Sequence, residues 1–423
     1  MTQPPVADDK PSSARFGVLA LLFVVYTFNF LDRQILGILA VPIKAELKLT
    51  DTELGLLGGL AFALFYTGLG IPIAWLADRK NRVWIITVAF AFWSAFTAAC
   101  GLAANFTQLF LMRMGVGIGE AGGVAPSYSL IADYFPPKER ARAFSFYAFG
   151  IPIGSALGVL LGGVFASLIS WRAAFIAVGL AGFVLAPFVI WLVREPARGR
   201  FDAGEKGKAA GFLQTFAVVA RKPSFWIMAF AASSSSIINY ASFFWIPSFL
   251  GRSFHLPLHE ISYYFAALLL VGGVVGIWLG GIFADRFGGK SKRVYALIPA
   301  ACFLVTVPAS VFGVLSPSLT VAFSFFLVII ALGLAWLGPV TTAIQHLVPH
   351  HMRATTSAIY LFINNLIGLG LGPVLIGALS DALTSEFGAE GLRYSLAAGS
   401  VFFLVAAILY FIAARFLPRD WHA

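Results

Sequence analysis

"AWLADRKNR" at residues 74–82 and "GIFADRFGGK" at residues 281–290 are two versions of one short pattern. Each has a small residue, two variable positions and then Ala-Asp-Arg, and Lys or Arg follows closely in both. Each copy also ends a long apolar stretch. Because the pattern recurs at the corresponding place in the second half of the chain, it indicates that the two halves are copies of one unit.

The composition indicates that most of the chain lies in lipid. Only 11% of its 423 residues are charged, whereas soluble domains carry about 25%. The mean hydropathy of +0.87 is too high for a water-soluble core. Apolar stretches of about twenty residues can cross a bilayer as helices. The sequence contains twelve such stretches, roughly residues 15–44, 51–77, 83–104, 106–134, 138–168, 172–193, 223–250, 258–284, 293–314, 317–347, 352–382 and 392–417. The expected fold class is an all-α membrane protein.

The distribution of positive charge predicts the orientation. Twenty-two of the twenty-nine Lys and Arg residues fall in the two tails and in the loops that share their side. Positively charged loops stay in the cytoplasm, so both termini are expected there, and the net charge of +10 requires no nucleic-acid partner. We expect a tail over 1–14, a six-helix half over 15–193, a cytoplasmic loop over 194–222, a second half over 223–417 and a tail over 418–423.

The repeated pattern resembles the motif Gly-x-x-x-Asp-Arg-x-Gly-Arg/Lys of the major facilitator superfamily. The second copy fits this motif well, and the first has Ala74 and Asn81 where glycines are usual. The resemblance implies twelve helices in two six-helix halves and a carrier that works by alternating access. It also implies a cytoplasmic gate built from the motif residues and nearby cations, namely Asp78, Arg79, Arg82, Arg140, Asp285 and Arg286.

Asp78 needs a partner because it falls at the C-terminal end of a predicted helix, where the helix dipole disfavours an anion. We expect it to pair with Arg82, with Arg140 or with the start of a neighbouring helix. The alternative is that these residues are ordinary charges at the membrane interface, and the duplication of the pattern favours the gate.

Four ionisable residues fall deep inside predicted spans: Asp32 and Arg33 in the first, Arg113 and Glu120 in the fourth. A charge at the centre of a membrane helix costs about 2.5–3.5 kcal/mol, so such residues usually face a cavity or a partner. Both carboxylates fall near the membrane midplane, where carriers place their binding site. The alternative is that the four residues form structural ion pairs inside the bundle.

These residues predict proton coupling and anion binding. Burial favours the neutral form of a carboxyl group and a nearby arginine favours its charged form, so Asp32 and Glu120 are expected to carry the coupling proton. Arg33 keeps its charge and is expected to attract an anionic headgroup. Other candidate substrate contacts are polar residues at depth: Arg113, Ser127, Asn239, Tyr240, Asn364 and Asn365. For polar side chains of this kind the alternative role is hydrogen bonding between helices.

"GIGEAG" at residues 117–122 has the GxGxxG spacing of a dinucleotide loop. It lies within a predicted span and not between a strand and a helix, which excludes that interpretation. Glycines spaced by four recur here and in the fifth span: Gly115, Gly119, Gly123, Gly150, Gly154, Gly158 and Gly162. Such rows predict close helix packing. Arg113, Glu120 and Ser127, spaced by seven, are expected to form a separate polar stripe that presents Glu120 to the cavity.

Two segments resemble the Spinster (Spns) transporters of lysolipids and sphingosine phosphate. They are residues 29–82, with Asn-Phe-x-Asp-Arg near the start, and residues 113–143, with Arg-x-Gly-Val-Gly-x-Gly-Glu-Ala. The family's functional Asp-Arg pair and Glu correspond to Asp32, Arg33 and Glu120. Organic-anion facilitators share similar Asp-Arg pairs. All four ionisable residues deep in the spans lie in the N-terminal half, and the C-terminal half has only neutral polar residues at that depth. A cavity with one charged wall and one neutral wall suits an amphiphile.

The sequence therefore predicts a proton-coupled secondary transporter of a lipid-like amphiphilic anion, of lysophospholipid or sphingosine-phosphate type. Alternatives are a proton-coupled carrier of small organic anions or drugs and, less favoured because the loops are short, a transporter-like sensor or a membrane-embedded enzyme. No cofactor is expected, and no metal site, since Pro257 interrupts the two histidines of "HLPLHE" at residues 255–260. We expect a monomer that crosses the bacterial inner membrane many times.

Overall fold

The computed structural model describes residues 14–201, 212–288, 291–349 and 352–422, and these residues form helices joined by short turns. The helices are α1 Ala14–Ile38, α2 Ala40–Leu47, α3 Asp51–Gly58, α4 Leu60–Ala77, α5 Arg82–Cys100, α6 Phe106–Glu120, α7 Val124–Tyr134, α8 Pro137–Ala148, α9 Gly150–Leu168, α10 Trp171–Leu192, α11 Phe212–Ala220, α12 Pro223–Phe254, α13 Leu258–Gly288, α14 Val294–Leu315, α15 Leu319–Ala335, α16 Leu337–His346, α17 Arg353–Asn364, α18 Gly370–Phe387, α19 Gly391–Gly399 and α20 Val401–Asp420. A π-helical turn, Asn365–Leu369, joins α17 to α18, and a 3₁₀ turn, Gly388–Glu390, precedes α19.

The helices are consistent with the twelve predicted spans. Ten helical segments are long and apolar enough to cross a membrane, and one of them, Thr355–Asp420, is 66 residues long. At 1.5 Å per residue that segment is long enough for two crossings. The α6–α7 segment lies outside the ten because neither of its helices is long enough. The all-α membrane fold class is confirmed.

The prediction of one continuous helix over 106–134 is wrong. A turn at residues 121–123 separates α6 from α7, and the N–H of Gly123 donates to the carbonyl of Glu120 at 3.0 Å. Two adjacent glycines favour this break because glycine has low helix propensity. Ser127 therefore does not continue the stripe of Arg113 and Glu120. Its hydroxyl donates to the carbonyl of Gly123.

The domain boundaries stay predictions, with two structural details inside them. The stretch assigned to the cytoplasmic loop, 194–222, contains helix α11, and α20 extends into the stretch assigned to the C-terminal tail, 418–423. Residues 1–13 and 202–211, which belong to the predicted tail and loop, lie outside the described residues.

The two halves pack against each other on the side of the bundle opposite the chain termini, called the far side below. Helix α9 of the first half lies along α13 of the second, and α3 lies along α18. Glycines bring these backbones together. A Cβ at Gly55 would lie 2.5 Å from the carbonyl oxygen of Pro373, and one at Gly377 would lie 2.3 Å from the carbonyl oxygen of Asp51. These contacts close the far side.

The predicted glycine packing is confirmed. The row in α9 lies against α1, where a Cβ at Gly154 would be 2.3 Å from the carbonyl oxygen of Thr27 and one at Gly158 would be 2.5 Å from that of Leu31. In α6, Gly115 packs on Phe96 and Gly119 packs on Trp93 of α5. Backbone contact of this kind replaces the side-chain packing of soluble helices.

Gly158→Ala is expected to destabilise the N-terminal half. The new methyl group would meet the carbonyl of Leu31, and overpacking typically costs about 1–3 kcal/mol. Gly68→Ala in α4 is the matched control because a Cβ there would meet no atom within 4 Å. Thermal unfolding in detergent should show a melting temperature several degrees lower for Gly158→Ala only. Equal melting temperatures for the two variants would contradict the backbone contact.

Candidate functional site

The centre of the N-terminal half contains an ion pair between the first and fourth predicted spans. Arg33 Nε donates to Glu120 Oε2 at 2.8 Å, and Asn29 Nδ2 donates to the same oxygen at 2.8 Å. Asn29 and Arg33 are four residues apart on α1, so their side chains share one helix face. The carboxylate thus keeps Oε1 free of hydrogen bonds among the described residues. The structure brings together two of the predicted site residues and adds Asn29.

Aromatic rings surround the Arg33 guanidinium. The centroids of Phe30, Phe62 and Tyr66 lie 5.0, 4.8 and 4.5 Å from its Cζ, within the range of cation–π attraction. Nη2 of Arg33 is buried and has no hydrogen-bond partner in the described part of the chain. The rings hold the guanidinium in place, and one of its nitrogens has no hydrogen-bond partner among the described residues.

The expectation that Glu120 is presented to the cavity is wrong. Its side chain is 0% exposed, whereas that of Arg33 is 12% exposed. The longer arginine side chain lies over the carboxylate, because the ion pair and the bond from Asn29 hold Glu120 against α1. Arg33 is therefore the group that a substrate would meet, and Glu120 lies behind it.

The second carboxylate predicted to carry a proton, Asp32, lies on a different side of α1. Asp32 and Arg113 are only 1% and 2% exposed, and Arg113 Nη1 donates to the backbone carbonyl of Asp32 at 3.3 Å. Asp32 Oδ1 and Arg113 Nε have no hydrogen-bond partner among the described residues. Arg113 is thus enclosed within the first half of the molecule, although the sequence assigned it to substrate binding.

The polar residues predicted in the second half separate into two groups. Asn239 Nδ2 donates to the carbonyl of Gly333 at 3.2 Å, and Asn364 Oδ1 accepts from the hydroxyl of Ser236 at 2.9 Å. Both are buried and bond one helix to another, the alternative role named for such residues. Tyr240 and Asn365 are partly exposed, and Tyr240 lies close enough to Arg33 to interact with its charge. Tyr240 is thus a residue of the second half that lies near the Arg33–Glu120 pair.

The predicted gate pairing of Asp78 is not formed in this structure. Asp78 is exposed and has no ion-pair partner within the described ranges. Arg82 is instead 1% exposed and bonds to Asp133 and Glu195. It turns inward because two carboxylates and the hydroxyl of Ser129 satisfy its donors there.

The remaining gate residues also make contacts other than those predicted. Arg140 Nε donates to the backbone carbonyls of Ala132 and Phe135, near the end of α7. Arg79 stacks on Trp75, 4.0 Å from its ring centroid. Arg286 is exposed near the end of α13, and the side chain of Asp285 lies outside the described part of the structure.

Arg198, which the sequence did not single out, caps the end of α4. Its guanidinium donates to the backbone carbonyls of Ala77, Asp78 and Lys80. A cation is favourable at this end because helix C-termini carry partial negative charge. The charged motif thus has a cationic partner, but Arg198 binds its backbone carbonyls and not the Asp78 side chain. Arg198 itself lies near the start of the predicted inter-half loop.

A polar contact between the halves, here called the far-side latch, was also missed. It consists of Lys44, Asp51 and Thr52 from the first half and Arg252, Ser380 and Asp381 from the second. Asp51 is 1% exposed and accepts two bonds from Arg252, both at 2.6 Å, and one from Ser380 at 2.7 Å. Lys44 Nζ lies 2.5 Å from the same carboxylate.

The second carboxylate of the far-side latch binds a helix N-terminus. Asp381 accepts from the backbone N–H groups of Asp51 and Thr52 at 3.0 and 2.8 Å, and from the hydroxyl of Thr52. Such N–H groups lack partners within the helix, and the helix dipole favours an anion there. A signal was present in the sequence: Lys44 and Arg252 are among the few cations on the side poor in positive charge.

Another far-side pair, Glu46 with Arg172, lies within the first half alone. Arg172 Nη2 lies 2.7 Å from the Glu46 carboxylate, and Trp171 Nε1 donates to it as well. These hydrogen bonds hold the pKa of Glu46 below its usual value. The pair therefore joins helices of one half and does not link the halves. Within the described ranges, no group of three or more His, Cys, Asp or Glu side chains is arranged to hold a metal ion.

Comparison with known proteins identifies the family. The model of the Major Facilitator Superfamily matches residues 22–373. An MFS-type efflux pump of Mycolicibacterium smegmatis is 33% identical over 427 residues, covering 99% of each chain. A probable L-galactonate transporter of Escherichia coli is 28% identical over 390 residues, which are 87% of this chain and 83% of that protein.

A crystal structure shows the same fold. It is that of a bacterial homologue of the human lysosomal transporter Spinster, in an inward-facing and unoccupied conformation. It is 34% identical, covers 98% of this chain and 100% of its own, and has a TM-score of 0.89. The predicted localisation in a bacterial inner membrane as a multi-pass protein is confirmed, and the molecule is a transporter, not an enzyme. The chain belongs to the major facilitator superfamily and, within it, to the Spinster-like transporters.

Proposed function

We propose that the chain is a proton-coupled transporter of a lipid-like amphiphilic anion, of lysophospholipid or sphingosine-phosphate type. One observation carries the proposal: Arg33 is paired with a fully buried Glu120 at 2.8 Å while its Nη2 has no partner among the described residues. The arginine can bind an anion, and the carboxylate behind it can bind a proton.

The ion pair links the two events. While Glu120 is ionised, it neutralises Arg33 and competes with any anion for the guanidinium. Protonation of Glu120 removes that competition, so proton and anion bind cooperatively. A carrier that moves both through the same site would transport them in the same direction.

The surroundings of the pair favour an amphiphile. Tyr26 stacks on Tyr147 at 4.2 Å between centroids, and Tyr147 contacts Tyr128, which is 39% exposed. Tyr66 lies against Arg33. Aromatic side chains combine apolar faces with a polar tip, so this cluster can contact an acyl chain close to the cationic headgroup site.

The state of the far side supports alternating access. Among the described residues, six hydrogen bonds join the halves within the far-side latch. If both termini are cytoplasmic, as the charge distribution predicts, the side held closed by the far-side latch faces away from the cytoplasm. Closure on that side is what an inward-facing carrier requires, and the related crystal structure is in an inward-facing state.

A carrier of small organic anions is the second candidate. The similarity to a probable L-galactonate transporter favours it, since a sugar-acid carboxylate could also bind Arg33. The two candidates differ in what surrounds the anion: an acyl chain needs the apolar tyrosine cluster, whereas a sugar acid needs further hydrogen-bond donors and acceptors.

A thermal-shift screen of the purified protein distinguishes the two candidates. Lysophosphatidic acid, sphingosine phosphate and L-galactonate would be tested at low pH, because the proposal requires a protonated Glu120 for the anion to bind. We expect the lipid anions to raise the melting temperature, because binding to the folded state stabilises it. Arg33→Gln should lose this shift, while Arg172→Gln, which changes an arginine on the far side, should keep it. A shift by galactonate alone would favour the second candidate, and equal shifts in Arg33→Gln would refute the anion site.

A further inference from the structure

Helix α11 is apolar on the side that it packs and also on the side that it exposes. Thr215 and Val219 are buried where the helix lies against α12 and α17. Phe212, Leu213 and Phe216 are instead 51%, 80% and 39% exposed. Three large apolar side chains exposed together on a nine-residue helix indicate an interaction surface. These three residues are called the α11 face below.

Aromatic contacts place α11 at the depth where α12 enters the membrane. The ring centroids of Phe216 and Trp226 are 6.2 Å apart, and Phe212 stacks on Phe216 at 6.3 Å. Trp226 lies within one turn of Pro223, the first residue of α12, and α12 is long and apolar enough to cross a bilayer. Tryptophan is enriched at the boundary between lipid headgroups and acyl chains. Phe216 therefore lies at the level of that boundary.

The length of α11 and its position fit a helix that lies along the membrane surface. Its nine residues rise about 14 Å, roughly half of the hydrocarbon core. The helix lies on the side of the chain termini, which is the predicted cytoplasmic side. Ser224, four residues after α11, shows this, because its hydroxyl donates to the carboxylate of Asp420 at the end of α20, at 2.7 Å.

The charge around α11 favours an anionic lipid surface. The stretch 194–222 contains seven Lys and Arg residues and three acidic residues. Arg221, which follows the helix directly, is exposed. Basic residues beside a surface helix attract the headgroups of anionic lipids.

The chain offers no apolar cover for the α11 face in the stretch before it. Residues 202–211, "DAGEKGKAAG", contain no apolar side chain larger than alanine. The start of the predicted loop is bound to the first half, where the N–H of Gly199 donates to Asp133 at 2.9 Å and Arg198 caps α4. A bilayer is the partner that fits the depth, the apolar character and the charge of the α11 face.

We propose that α11 is a membrane-surface helix whose α11 face inserts into the cytoplasmic leaflet while the neighbouring cations bind anionic headgroups. Helices of this kind bury their apolar face about 5–10 Å into the boundary between headgroups and acyl chains. Since the other side of α11 packs on α12 and α17, the inserted helix holds the cytoplasmic ends of both at a fixed depth. The inference depends on neither the proposed substrate nor the proposed proton coupling.

Fluorescence quenching in lipid nanodiscs tests the insertion. The full-length Leu213→Cys variant is labelled with an NBD fluorophore and placed, one copy per disc, in a bilayer of phosphatidylethanolamine and phosphatidylglycerol. The native Cys100 and Cys302 are buried and should react little with the label. We expect strong quenching by a nitroxide near the top of a lipid acyl chain and weak quenching by iodide in the buffer, because residue 213 lies in lipid.

Gln214→Cys is the matched control, because Gln214 is an exposed polar residue about 100° further round the same helix. The same label there should be quenched several-fold more by iodide and less by the lipid nitroxide. Equal responses at 213 and 214 would overturn the proposal. Shielding of residue 213 from both quenchers would overturn it too, because protein would then cover the α11 face.

A change of lipid tests the role of the cations. In discs of phosphatidylcholine alone, the nitroxide should quench the label at residue 213 less and iodide should quench it more, because Arg221 and the other cations lose their anionic partners. Identical quenching in the two bilayers would overturn the binding of anionic headgroups.

Discussion

Glu120→Gln should abolish accumulation of the substrate driven by a pH gradient, reducing it to the level of protein-free liposomes. Glutamine has nearly the same shape but cannot exchange a proton, so the coupling step is lost. It also carries no charge, so Arg33 loses the anion that lies 2.8 Å from its Nε. The guanidinium becomes permanently available to substrate. Exchange of labelled for unlabelled substrate across the membrane should therefore continue, because exchange needs binding and movement but no net proton transfer.

The pH dependence of binding distinguishes this mechanism from a structural ion pair. In the wild type, substrate affinity should fall as pH rises, because an ionised Glu120 competes for Arg33. In Glu120→Gln the affinity should be high and independent of pH. Glu139→Gln is the control, since Glu139 pairs with Arg15 at 2.9 Å, is itself 41% exposed and lies outside the site. Gradient-driven accumulation that survives in Glu120→Gln would disprove the role of Glu120.

Asp51→Asn should shift the transporter away from the state seen here, toward one that is open on the far side. The carboxylate accepts two bonds from Arg252 and one from Ser380 and lies beside Lys44, and two of these partners belong to the other half. Hydrogen bonds to charged groups contribute about 1.5–3 kcal/mol each, and 1.4 kcal/mol changes an equilibrium tenfold. Because the partners separate when the far side opens, only the closed state loses this energy. We expect a change of at least about tenfold in the ratio of states.

Spin-label distances across the two ends of the bundle measure this shift. Labels at the far side should move apart in Asp51→Asn and labels at the opposite side should approach. The two native cysteines, Cys100 and Cys302, are buried and should react little with the labelling reagent. Glu46→Gln is the matched control, because it removes a far-side ion pair that lies within one half. Identical distance distributions for Asp51→Asn and the wild type would show that the far-side latch does not set the conformational equilibrium.

The glycine spacing shows which structural features are predictable from sequence. Rows of glycine four apart permit one kind of contact, a close approach of two helices, and the rows in α6 and α9 make that contact. The same glycines also broke the helix after Glu120, which periodicity alone does not reveal. Whether adjacent glycines bend a helix depends on what packs beside them, and here Trp93 and Ala89 of α5 contact this stretch.

The gate residues show the limit of a motif. Asp78 was predicted to pair with Arg82 or Arg140, but in this structure its side chain is exposed and makes no ion pair with a described residue. Which partners the gate residues take depends on the conformation of the whole molecule: in this state Arg82 bonds to Asp133 and Glu195, and Arg198 caps the helix that Asp78 ends. A transporter that alternates between states makes different contacts in each state, so a sequence motif does not specify one set of partners.

The sequence by itself determined the membrane environment, the two-half architecture and the identity of the buried charges. The membrane environment follows from hydropathy, the two halves from an internal repeat, and the buried charges from the high cost of charge in lipid. Each of these can be read from the sequence without knowing how the helices pack. Only the tertiary structure decided that Arg33 covers Glu120, that Arg113 bonds to the backbone of Asp32, and that Asp51, Arg252 and Asp381 join the halves. Those arrangements join residues as many as 330 positions apart. Their geometry depends on how helices rotate and approach each other, and local sequence patterns do not specify it.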